Sequence, residues 1–221
     1  MTLTIPTSEL VGCLTDVIPF ASPDAEDAIY NTVRLEWDGE SLHTLASDRR
    51  FAGWSRWNPD DEPAEGEPAE DDLFTTWGGD DGTWSTHLSL ADAVEAVKMF
   101  KLPAKQGRIP LTVEVEHKLV TVRRGPDGGH SAITLEMATD PAIAGEYGDP
   151  RAVIDTIEGT IGPVDTIRFD ARRLAAFAKV RNHGPMRIRF SGDDRPAWVG
   201  IGTRFSGLVA PIRPDSEPAD V

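Results

Sequence analysis

The side chains of this 221-residue chain that could act on another molecule fall into two sets of opposite sign. Lys98, Lys101, Lys105 and Arg108 follow one another with no acid between them. Arg168, Arg172, Arg173, Lys179, Arg181, Arg187 and Arg189 are interrupted only by Asp170. Cations gathered in this way attract phosphate groups along a polyanion without reading its sequence. Against them stand eight carboxylates in residues 58–72, namely Asp60, Asp61, Glu62, Glu65, Glu67, Glu70, Asp71 and Asp72, set among Pro, Ala and Gly. Such a segment cannot bury enough apolar surface to order itself and is expected to be a mobile loop. The net charge of −15 therefore reflects this loop and the acidic tail at 215–221 more than the faces that carry the cations.

Catalytic and metal chemistry find little support. His43, His87, His117, His130 and His183 are scattered, without the spacing of metal ligands. Cys13 is the single cysteine, so no Cys-x-x-Cys pair and no intrachain disulfide can form, and a reducing cytoplasm is the simple expectation. Its place among Leu10, Leu14 and Val17 reads as core packing. There is no lysine-bearing phosphate loop and no nucleophile elbow. The GPDGG stretch at 125–129 reads as a turn between strands. Asp71 and Asp72, like Asp80 and Asp81, lie among Gly and Pro and read as solvated loop. The expectation is a protein with no catalytic residues, metal or cofactor. No apolar run approaches the roughly 20 residues needed to span a membrane, and MTLTIPTSEL lacks the features of a secretion signal.

The elements that must position the cations recur three times as a strand, an amphipathic helix and three further strands. The first copy reads as a strand at 3–6, a helix at 7–20 and strands at 30–37, 41–46 and 51–57. The second reads as 85–88, a helix at 89–101, then 111–116, 119–123 and 132–137. The third reads as 166–169, a helix at 170–180, then 186–190, 198–202 and 207–212. Leu10, Leu14, Val17 and Ile18 make the apolar stripe of the first helix, which Pro19 terminates. Leu90, Ala93, Val94, Val97 and Phe100 do so in the second, and Leu174, Phe177 and Ala178 in the third. Thr7 or Ser8, Ser89 and Asp170 are the expected amino-terminal caps. Arg172 and Lys179, seven residues apart, fall on nearly one helical face. Hairpin signals at Asp38 and Gly39, near His117 and Lys118, and across 192–196 point to antiparallel sheet. The predicted class is α+β.

The order of these segments resembles the bacterial DNA sliding clamp, the beta subunit of DNA polymerase III. LTIPTSELVGCLTDVIPFAS followed by VRLEWDGESLHTLASDRRFAG resembles the opening of a clamp domain. GEYGDPRAVID, at 145–155, resembles the passage from one clamp domain to the next. FDARRLAAFAKVR and the closing LVAPIRP resemble the clamp's carboxyl end. Ser47 stands where the family has threonine, Ala210 where it has methionine, and the turn through Asp48 to Arg50 is one residue short.

The resemblance implies a DNA-clamp fold built from repeated βαβββ units, with antiparallel sheets outside and helices lining an inner face. It implies a processivity factor that encircles double-stranded DNA non-specifically and tethers a polymerase and a clamp loader through short hydrophobic peptides. Lys98, Lys101, Lys105, Arg108, Arg172, Arg173, Lys179 and Arg181 would face the DNA. Ser47, Arg49, Arg50, Phe51, Val94, Val209, Pro211, Ile212 and Arg213 would form the peptide pocket. Residues 1–140 would be one complete clamp domain carrying the acidic loop at 58–82. A connector at 141–163 would lead to a half-domain at 164–214. Three units per chain imply a homo-oligomer, a tetramer if twelve units close a ring, with a trimer or dimer as the other arrangements. The rival reading is an acidic binding module, a DNA mimic or a platform of the same fold that never encircles DNA.

Overall fold

The computed structural model describes residues 1–61, 77–80, 82–103, 109–124, 132–136, 148–153, 167–181, 183–192 and 195–212. The acidic segment beyond Asp61, the turn at 125–129, most of the connector, the acidic tail, and Lys105, Arg108 and Arg213 lie outside the described residues.

Unit one contributes β1 (Thr2–Pro6), α1 (Thr7–Val17), a 3-10 turn (Ile18–Phe20), β2 (Thr32–Trp37), β3 (Leu42–Ser47) and β4 (Phe51–Trp57). Gly78–Gly79 forms a two-residue strand, β5. Unit two follows with β6 (Trp84–Ser89), α2 (Leu90–Phe100), β7 (Pro110–Glu116), β8 (Leu119–Arg124) and β9 (Ala132–Glu136). Unit three gives α3 (Ala171–Phe177), β10 (Met186–Arg189), β11 (Ala197–Ile201) and β12 (Phe205–Val209). Pro19 turns the end of the first helix into 3-10 geometry. Ser89 and Asp170 cap α2 and α3 by accepting from the backbone N–H of Asp92 and Arg172. The expected cap on α1 is different. Pro6 occupies that position with no side-chain bond, and the Thr7 hydroxyl instead donates to the Ile109 carbonyl on unit two.

Units one and two exchange their first strands. β1 lies antiparallel to β7 of unit two, while β6 lies antiparallel to β2 of unit one. The result is a five-stranded sheet, β5-β1-β7-β8-β9, and a longer sheet in which β4-β3-β2-β6 is continued by unit three as β10-β11-β12. α1 and α2 pack against each other and against the sheets. Alternation places Val33, Leu35 and Trp37 of β2, and Leu111 and Val113 of β7, in one shared core with Leu10, Leu14, Ala93 and Phe100.

Unit three is joined to unit one along β12 and β4, which continue one sheet. Gly53 and Gly207 face each other across this pair. A Cβ on Gly53 would lie 2.7 Å from the Phe20 ring, and one on Gly207 would lie 2.6 Å from Phe177. The missing side chains let both rings lie flat on the sheet, where Phe20 meets Phe177, Phe51 and Phe205 at centroid distances of 4.9, 5.1 and 5.5 Å. Burying one such ring contributes roughly 1.5–3 kcal/mol.

Two expectations for unit three fail. Residues 167–170 form no strand, and α3 stops at Phe177. In units one and two the corresponding strand exists because another unit offers an edge to pair with; in unit three no described edge does so.

Candidate nucleic-acid interface and partner pocket

The helix layer sorts its charges by direction. The two acids of α1, Glu9 and Asp16, are 3% and 0% exposed. Asp16 accepts from the Arg181 backbone N–H at 2.8 Å, from Arg181 Nε at 3.1 Å and from Ser55 Oγ at 2.9 Å, and it lies 3.0 Å from His183 Nε2. Glu9 accepts from Arg204 at 2.9 Å and Arg181 at 3.4 Å. Burial pushes the Asp16 carboxyl upward, but the bond from His183 and the Arg181 charge outweigh it and hold the group below the usual carboxylate value. What α1 presents outward is neutral, with Ser8, Val11 and Thr15 beside a groove of about 200 Å³ that Lys101 and Arg181 flank.

Lys98 and Lys101 of the α2 end, and Arg172 and Lys179 around α3, are exposed. Glu95 is an exposed acid on α2. Two of the sequence-predicted DNA contacts are engaged by acids of the same chain. Arg181 is drawn in by Asp16 and Glu9, and its guanidinium lies across Gly12, where a Cβ would come within 1.9 Å of it. Arg173 reaches toward Asp48 at 3.7 Å and stacks over Phe51 at 5.9 Å. Both are structural cations in this fold.

The turn between β3 and β4 is held by its own side chains. Asp48 accepts from the backbone N–H groups of Arg50 and Phe51, and Ser47 Oγ accepts from that of Arg49. This places Arg49 in the left-handed region at φ 74° and sends its side chain outward, over the Tyr30 ring at 4.7 Å and 3.1 Å from Asp27. The Arg50 carbonyl accepts from Ala210 N–H at 2.7 Å, which ties the turn to the end of β12. Between them is a cavity of about 360 Å³ lined by Ser47, Arg49, Arg50, Phe51, Leu208 and Ala210, with Tyr30, Pro150 and Val153 at its sides. Arg151 fastens the last of these by bonding both Asp149 and Glu36, at 2.9 and 3.0 Å. Burial raises the Asp149 carboxyl, yet Arg151 pulls it below its ordinary range.

The structure brings the first half of the predicted pocket together around this cavity and places the described residues of the second half elsewhere. Ser47, Arg49, Arg50 and Phe51 line the cavity; Val94, Val209, Pro211 and Ile212 do not. Val94 sits on α2. Val209 is 1% exposed and belongs to the opposite side of the strand, with Val199 and Ile188. Strand period two explains the placement of Val209, since Phe205, Gly207 and Val209 share one face while Leu208 and Ala210 share the other. Alternation within FSGLVAP was the available signal. Nothing local marked Tyr30, Pro150 or Val153, which arrive from distant segments.

No family model matches the chain, and no curated protein matches it. Solved structures do. The DNA polymerase sliding clamp from Pseudomonas aeruginosa superposes with a TM-score of 0.67 at 10% identity, over 96% of this chain and 67% of that one. A putative DNA polymerase III beta subunit from Eubacterium rectale gives 0.70 at 8% identity, over 96% and 66%. The beta subunit from Thermotoga maritima gives 0.64 at 14% identity, over 96% and 65%. The chain spans about two thirds of the length of these clamps. Its repeated units, paired antiparallel sheets and packed helices are the α+β sliding-clamp fold.

Proposed function

We propose that the chain is a shortened sliding clamp, a non-catalytic processivity factor that closes into an oligomeric ring around duplex DNA. Lys98, Lys101, Arg172 and Lys179 face the phosphates. A short hydrophobic peptide from a polymerase or clamp loader seats between the Ser47 turn and Leu208. The observation that carries the reading is the charge sorting of the helix layer, in which the acids of α1 are buried against arginines while the exposed ends of α2 and α3 are basic. That arrangement suits a surface that attracts a polyanion diffusely and lets it slide. The cavity has the apolar floor and polar rim that an inserted peptide needs.

The test is retention on nicked circular DNA compared with the same DNA made linear, after loading by the cognate loader or by high protein concentration. Retention on circles and loss from linear ends is the expected result. Changing Lys98, Lys101, Arg172 and Lys179 together to Ala should lower the slope of log affinity against log salt by about 0.9 for each phosphate left unneutralised. Equal retention on both forms, or no DNA affinity at any salt, would remove the proposal and favour the acidic binding module.

A further inference from the structure

Aligned on their helix caps, Pro6, Ser89 and Asp170, the three units can be compared position by position. Four residues past the cap stand Leu10, Ala93 and Leu174; the first two are 2% and 0% exposed and the third is 39%. On the strand after the helix, Val33 and Leu35 of unit one and Leu111 and Val113 of unit two are fully buried or nearly so. Their counterparts in unit three, Met186 and Ile188, are 49% and 44% exposed, with Phe190 next on the same face at 39%. Arg189, between them in sequence, stacks on Trp198 on the other face. Ile188 and Phe190 instead open, with Ile167, Phe169 and Leu174, onto an apolar groove of about 420 Å³. Unit three therefore has the core-facing residues of its sister units, and among the described residues nothing covers them.

The way units one and two complete each other says what fits. Each lends its first strand to the free edge of the other's β2 or β7. Among the described residues unit three makes neither half of that strand exchange. Among the described residues β10 is the terminal strand of its sheet, and residues 167–170, the counterpart of the lent strand, form no strand; the Arg168 carbonyl accepts from the Ile212 N–H at 2.8 Å on one side. A surface that offers an edge and a strand in the same unit is self-complementary, which is the requirement for a two-fold contact between identical chains.

We propose that two copies of this chain complete one clamp domain between them. Each lends residues 167–170 to the other's β10 edge, and the two α3 helices and the Ile188 and Phe190 faces close into one core. By the register of β2 with β6, where Val33 opposes Leu88 and Arg34 opposes His87, Met186 of one copy meets Phe169 of the other. Arg187 of one copy then lies beside Arg168 of the other on the solvent side. Screening relieves that like-charge contact, so added salt strengthens the pairing. DNA binding has the opposite dependence.

Light scattering of the full chain without DNA, at tens of micromolar protein and at low and moderate salt, tests this. The expected mass is an even multiple of 24.0 kDa, rising or unchanged with salt. Ile188→Glu and Leu174→Glu should each halve it while leaving the far-ultraviolet circular dichroism unchanged, because both positions are already exposed in the single chain. Leu119→Glu, equally exposed on β8, should leave the mass as it was. A monomer, an odd number of chains, or a mass that neither unit-three substitution moves would overturn the pairing. The measurement involves no DNA, so its failure is separate from failure of the DNA-encircling role.

Discussion

Asp16→Asn tests what fastens the third unit to the first. Asp16 is fully buried and accepts three hydrogen bonds, two from Arg181 and one from Ser55, with the His183 ring nitrogen at the same oxygen. Asparagine keeps the volume, removes the charge and turns one acceptor into an NH₂ group facing donors. Arg181 is then left with Glu9 at 3.4 Å. Removing one member of a buried ion pair typically costs about 3–5 kcal/mol. The Arg181 side chain is 27% exposed and retains Glu9, so the lower end, about 3 kcal/mol, is appropriate. In a chain of this size each kcal/mol moves Tm by about 2–4 °C, which gives a fall of roughly 6–12 °C.

The pH dependence has a definite sign. Burial raises the Asp16 pKa, the bond from His183 and the charge of Arg181 more than compensate, and the folded value lies below 3.8. A carboxylate with a lowered folded pKa contributes stability that is complete above its unfolded value and is lost as pH falls through the folded one. The difference between parent and Asp16→Asn should therefore be full at pH 7 and shrink on acidification below about pH 4. Thermal melts followed by circular dichroism at pH 7 and pH 3 measure both. A variant that melts with the parent at pH 7, or a penalty equal at the two pH values, would refute the reasoning. Arg181→Met should likewise lower Tm with no change in the salt slope of DNA binding. The reverse outcome would put Arg181 back on the DNA-facing surface.

Three further outcomes follow from the same geometry. Ala210→Phe fills the cavity between the Ser47 turn and Leu208, so fluorescence anisotropy with a labelled clamp-binding peptide should show binding abolished, while Pro211→Ala and Ile212→Ala leave it nearly unchanged. Arg49→Gly relieves a left-handed backbone worth about 1–2 kcal/mol against an exposed ion pair of at most about 1 kcal/mol. Tm should hold or rise while peptide affinity falls, and a marked drop in Tm would contradict this. Burial pushes the Cys13 thiol up to about 12, so it should resist a thiol reagent at pH 8 in the folded protein and react fully in denaturant.

Local chemistry made most of the elements legible in the sequence, and non-local pairing accounts for most of what was not. The strands and helices of units one and two lie within one to three residues of where alternation, helical stripes, Asp38 with Gly39, and the Ser89 cap put them. β5 was invisible, because Gly78 and Gly79 have no strand propensity of their own and become a strand only by pairing with Leu3 and Thr4. The predicted strand at 166–169 differs in the other direction, over its described residues 167–169. Their pattern is that of a first strand, but a strand exists only where an edge receives it, and no described edge of this chain does so.

The site residues divide along the same line. A basic side chain can be read from sequence; its direction cannot, because the acids that capture it come from elsewhere in the chain. Arg172 and Arg173 are adjacent and chemically identical, yet Arg172 is exposed while Arg173 is taken by Asp48. Arg181 is taken by Asp16 and Glu9, 165 and 172 residues away. These captures place cations where they fasten unit three to unit one, while Lys98, Lys101, Arg172 and Lys179 stay exposed at the helix ends. The division between structural and surface charge is therefore set by where the capturing acids Glu9, Asp16 and Asp48 lie. Moving one of them would alter both the joint and the surface at once, which is why the buried Asp16 is the more revealing residue to change than any exposed lysine.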